Sequence, residues 1–86
     1  MKTVTGHTLK HSASGKVLPV FVERGEDGYY IVECPVLDGC FTQGKTLDEA
    51  LRNIREVIEL ILEETEARET LADYKPRELS LHTITL

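Results

Sequence analysis

The sequence holds only two cysteines, Cys34 and Cys40, too few for the disulfide framework of a small secreted domain. No apolar run approaches the length needed to cross a bilayer as a helix. The opening Met1-Lys2-Thr3-Val4-Thr5-Gly6-His7 lacks the apolar core of a secretion signal. Basic residues are also short. Ten Lys and Arg against fifteen Asp and Glu leave a formal charge of −5, which argues against a nucleic-acid surface. The sign favours a basic partner, or serves solubility alone. There is no repeat, low-complexity tract or interdomain linker, and no glycine loop with phosphate-binding spacing precedes a helix. These absences lead to the expectation of a cytoplasmic protein with reduced thiols.

What is present suits one domain. Eighty-six residues, 41% of them hydrophobic, bury a thin core that association with itself or a partner would naturally supplement. Residues 1–16 are polar. Within them Thr3 to Leu9 fits a short strand or irregular chain equally well, and Ser12-Ala13-Ser14-Gly15 reads as a turn. Residues 17–86 carry the pattern of the domain. Val17 to Glu23 is rich in β-branched and aromatic residues, and Pro19, lacking an amide donor, places this strand at an edge or a bulge. Arg24 to Gly28 is a turn and Tyr29 to Cys34 a second strand, the two making an antiparallel hairpin. Pro35 to Gly39 interrupts the ladder, Cys40 to Gln43 resumes it, and Gly44-Lys45 turns into a helix.

The helix has the strongest pattern. Leu47, Ala50, Leu51, Ile54, Val57, Ile58, Ile61, Leu62 and Thr65 form one stripe of period 3.6. Thr46 and Glu49 have the spacing of a capping box. The stripe predicts one long helix from Leu47 to about Glu69, roughly 35 Å at 1.5 Å per residue, ended before Pro76. Leu79 to Leu86 alternates as a final strand. The expected fold class is α+β, an antiparallel sheet with one long helix on one face, in the order β-β-β-α-β. Such a fold leaves the other sheet face and the strand edges uncovered, and self-association as a dimer or tetramer follows as an expectation.

Candidate catalytic groups are scattered. Cys34, Cys40, His7 and His11 have neither the close Cys pair nor the helical His pair of a zinc site, so no metal or other cofactor is expected. The bland reading makes the thiols small core residues and the imidazoles solvated. A cysteine nucleophile needs a base beside it, and His82 is the available one. Glu23, Glu26, Asp27, Glu33 and Asp38 are candidates for a magnesium-dependent nuclease site; as turn formers and cross-strand surface charges they need no such role. Tyr29, Tyr30 and Phe41 have the ring faces that stack bases, but the acidic balance opposes it. Half of these rings should face the helix and the rest should face out.

Glu26-Asp27-Gly28-Tyr29-Tyr30-Ile31-Val32-Glu33-Cys34-Pro35, Leu37-Asp38-Gly39-Cys40-Phe41-Thr42-Gln43-Gly44 and Thr46-Leu47-Asp48-Glu49-Ala50 follow one another at near-uniform spacing. Over about residues 17 to 65 the chain resembles the HicB antitoxin family. The resemblance implies a partial RNase H-like fold and a protein that binds and neutralises a small HicA-type toxin, an mRNA-cleaving ribonuclease. It implies assembly as dimers or higher oligomers and transfers no catalytic residue, so the chain is not expected to be an enzyme. Many members add a C-terminal operator-binding domain, whereas here only a strand is expected after the helix; direct DNA binding is therefore not expected. Acidic groups on hairpin and turns complement a basic RNA-binding surface, and the partner contacts are expected around Tyr30, Glu33, Asp38 and Phe41. The competing readings are a stand-alone oligomeric protein-binding domain and a small metal-dependent nuclease.

Overall fold

The computed structural model describes residues 16–86, so the candidate strand over Thr3 to Leu9 and the His7/His11 pair lie outside the described residues. Three short strands, β1 (Phe21–Arg24), β2 (Tyr30–Glu33) and β3 (Phe41–Gly44), form an antiparallel sheet in the order β1-β2-β3. The turn between β1 and β2 is closed by Gly25 N–H donating to Tyr29 O at 2.8 Å, while the Asp27 carboxylate accepts from Tyr29 N–H at 3.0 Å. Between β2 and β3, Cys34 N–H donates to Cys40 O at 2.8 Å. Gly39 takes a φ of +67° in this turn, a backbone state that side chains with a Cβ resist. β1 starts at Phe21 rather than Val17 and is an edge strand of the described sheet, which leaves Pro19 outside the ladder where its missing donor is harmless.

Helix α1 (Leu47–Ile61) lies across the sheet and buries Ala50, Leu51, Ile54 and Ile58, the centre of the stripe read from the sequence. Thr46 Oγ1 accepts from Glu49 N–H at 3.1 Å. The Glu49 carboxylate accepts from Lys45 N–H at 2.6 Å, one residue earlier than in a standard capping box. Thr46 thereby satisfies one orphan amide of the first turn, and Glu49 ties down the residue before the cap. With Leu18, Val32, Cys34, Leu37, Cys40 and Leu71, the buried face of α1 makes one core.

The single long helix is corrected. α1 ends at Ile61, about 22 Å long for its 15 residues, and a second helix, α2 (Thr65–Asp73), follows a short turn. The break has a packing reason. Leu71 is 4% exposed, and a straight continuation would carry it past a sheet whose strands have only four residues each. The turn is held by Arg68, whose guanidinium donates to Leu62 O at 2.9 Å and to Thr65 Oγ1 at 3.2 Å, a basic side chain on the carbonyls of a helix C-terminus. The far end of α2 is capped in the same way from a distance: the Lys16 ammonium donates to Leu71 O, Ala72 O and Tyr74 O at 2.8, 2.8 and 2.7 Å.

The final strand is also corrected. Residues 74–86 form no strand and pair with no part of the described sheet. Beyond Leu79 their side chains are exposed, because the alternating residues reach no ladder among the described residues. The described architecture is therefore β-β-β-α-α, still of the α+β class.

Candidate functional site: the open face of the sheet

Side chains on a strand alternate between faces, and residues paired across strands share one. The Val22–Val32–Thr42 row faces α1, and Val32 is fully buried. The neighbouring rows, Phe21–Glu33–Phe41 and Glu23–Ile31–Gln43, face away from it. Phe21 is 52% exposed, Ile31 42% and Phe41 65%, so three large apolar side chains stand on the uncovered face with the carboxylates of Glu23 and Glu33 between them. Nothing else among the described residues covers this face, and large exposed apolar groups rimmed by charge mark an interaction surface.

Of the four residues expected to meet a partner, the structure brings two together. Glu33 and Phe41 are direct cross-strand partners on the open face. Tyr30 faces the helix side, half-buried against the core, with the Arg24 guanidinium 5.4 Å from its ring centroid. Asp38 sits in the β2–β3 turn, where it helps line a small polar depression with Glu64, Glu66 and Thr70. Phe21 and Ile31 stand exposed on the same face, although the sequence reading did not name them as partner contacts. The signal for them was in the sequence: positions 30 and 33 are three apart and cannot share a face of one strand, whereas 31 and 33 must.

The five carboxylates considered for magnesium do not converge. Glu26 and Asp27 lie in the β1–β2 turn and Asp38 in the turn at the opposite end of β2, while Glu23 and Glu33 lie on the strands between. No group of three His, Cys, Asp or Glu with metal-binding geometry occurs among the described residues.

The thiols are not disulfide-bonded, and both are buried. A hydrogen bond from the Cys40 thiol lowers the pKa of Cys34 to about 7 against the effect of burial, aided by the backbone amides of Val36 and Leu37. The same bond holds the Cys40 proton, and with burial pushes its pKa well up. His82 bonds instead to Ser80, 2.7 Å away on the exposed C-terminal segment. A nucleophile needs access to substrate as well as a base, and the buried pair has neither His82 at hand nor an open approach.

No described helix is long and apolar enough to cross a membrane. Comparison with known families matches residues 18–83 to the family described as HicB-like antitoxin of bacterial toxin-antitoxin system. The UPF0150 protein ssr1258 of Synechocystis sp. is 59% identical over 51 residues, which cover 59% of this chain and 74% of that protein. A UPF0150 protein of Archaeoglobus fulgidus is 52% identical and the UPF0150 protein Ta0767 of Thermoplasma acidophilum 57% identical, each over 44 residues, 51% of this chain and 64% of the relative. No solved structure matches the chain.

Proposed function

Because the chain belongs to the HicB-like antitoxin family of bacterial toxin-antitoxin systems, we propose that it neutralises a small HicA-type mRNA-cleaving toxin by binding it through the open sheet face. The observation that carries this reading is the triad Phe21, Ile31 and Phe41 exposed around Glu23 and Glu33. A toxin that holds RNA needs a basic surface. Two carboxylates set among apolar anchors offer that surface a complementary charge for encounter and a desolvated patch for retention. Occupying the RNA-binding surface blocks cleavage without any reaction by the antitoxin, so the protein acts as a binder and not as an enzyme. It works in the cytoplasm as a homodimer or tetramer, makes no direct contact with nucleic acid or membrane, and requires no cofactor.

The test is an RNA-cleavage assay with the toxin, this protein, and both together. Stoichiometric loss of cleavage on mixing supports the reading. Magnesium-dependent cleavage by this protein alone, lost on Asp27→Asn or Glu33→Gln, would replace it with the nuclease.

A further inference from the structure

Two features of the chain lack counterparts within the described residues. The first is the C-terminal segment. Leu79, still 51% exposed, lines an open groove of about 590 Å³ with Pro19, Phe21, Val36, Tyr74 and Arg77, beside the start of β1. From there it leaves the domain: Leu81 is 93% exposed and Ile84 84%. Leu79-Ser80-Leu81-His82-Thr83-Ile84-Thr85-Leu86 has the β-branched and aliphatic content of a strand, yet it makes no ladder.

The second feature is an unpaired sheet edge. Gly25 and Tyr29 form a hydrogen-bonded pair. Alternation along the ladder then points the backbone groups of Glu23 and Phe21 towards β2 and those of Val22 and Arg24 outwards. Those outward groups meet no partner among the described residues. The opposite edge is different, since Gln43 O on β3 accepts from the Asn53 amide of α1 at 2.9 Å. An open edge is a template for a strand, and β1 offers the freer one.

We propose that the protein self-associates by exchanging its C-terminal segment: residues 79–86 of one copy add as a strand to the β1 edge of a second copy, and the second copy reciprocates. The occupant is a second copy because the segment carries the strand pattern that the edge lacks, while its side chains stand clear of its own sheet. The exchange gives a form to the self-association proposed above and leaves the open face free, so it stands or falls separately from toxin binding.

The experiment is site-directed cross-linking in the full chain. Glu23→Cys places a thiol on β1, and Thr83→Cys or Thr85→Cys places one on the segment; copper phenanthroline supplies the oxidant that takes two electrons and two protons from the thiol pair. The double variants, cross-linked and run without reductant, are expected as covalent dimers of twice the 9.7 kDa chain mass. Adding Leu81→Asp should reduce the dimer at least fivefold, while a far-ultraviolet spectrum unchanged from the parent shows that the fold persists. A cross-link within one chain would mean that the segment folds back on its own edge and would overturn the proposal. So would equal dimer from either single variant. Absence of any cross-link in both double variants, as when residues 1–15 hold the edge, overturns it too, and so does cross-linking that requires an added toxin.

Discussion

Gly44 lies against the backbone of Ala50: a Cβ built on Gly44 would stand 2.5 Å from Ala50 N and 2.8 Å from its Cα. No side-chain adjustment relieves that contact, since the obstructing atoms are helix backbone. The missing side chain is what lets α1 settle onto the end of β3.

Gly44→Ala is therefore expected to destabilise the fold by about 2 kcal/mol or more, the scale of overpacking in a tight interior. Urea denaturation followed by circular dichroism measures it. A midpoint equal to wild type would mean that α1 does not approach β3 as described.

The buried face of α1 gives a second, larger contrast. Ile54 and Ile58 are each 3% exposed, so Ile54→Asp or Ile58→Asp places an unpaired charge in the core and should cost about 3 kcal/mol or more. Glu63 is exposed in the turn after α1, and Glu63→Ala should change stability by about 0.5 kcal/mol or less. Equal denaturant midpoints for the two kinds of variant would refute the assignment of the core face.

On the open face, charge and apolar contact should separate kinetically. Glu33→Lys reverses one carboxylate and is expected to slow toxin association on the order of tenfold at low salt, with the effect shrinking as salt rises. Phe41→Ala should act on dissociation instead, again by roughly tenfold. Both residues point away from the core, so neither should move the denaturation midpoint much. Surface plasmon resonance across a salt series distinguishes the rates; unchanged association for Glu33→Lys at low salt would remove this face from the interface.

The thiol pair predicts a pH dependence. Cys34 has an ordinary value of 9.0 and is lowered to about 7 by the Cys40 hydrogen bond. Between those values the unfolded chain keeps a proton that the folded chain has released, so stability should rise with pH from about 7 to 9, and this contribution is lost by the time pH falls through about 7. Cys40 is shifted upward, and its stabilisation is complete below 9 and lost only at higher pH. The denaturant midpoint of Cys40→Ala should lose the rise between 7 and 9. If the wild type is flat across that window, the thiols do not share a proton as described.

The hairpin, both turns and the start of α1 were legible from residues because their determinants are local. Asp27-Gly28 and Asp38-Gly39 are turn chemistry, and Thr46 with Glu49 is a cap. The length of α1 was not, since no Gly or Pro stands between Ile61 and Thr65 and the stripe continues through Leu62 to Thr65. What ends it is Leu71 returning to the core, a contact between distant parts of the chain. The last eight residues alternate as a strand should, but pairing needs an available edge, and periodicity says nothing about which chain supplies it. Of the residues named for partner contact, Glu33 and Phe41 share the open face and Tyr30 faces the helix. An aromatic residue next to a turn reads the same from composition whether it points in or out; only the register with Gly44 and Arg24 decides it.

The Lys16 ammonium joins the entrance of the described chain to the exit of α2 through three carbonyls, the first of them 55 residues away. Such a clasp makes two peripheral segments mechanically one unit. Peeling α2 from the domain must first free Lys16, and loosening the stretch before β1 exposes the last carbonyls of α2. The two ends should thus open together in hydrogen exchange as a single cooperative piece, and removing one positive charge at residue 16 should fray a helix that begins almost fifty residues later in the sequence.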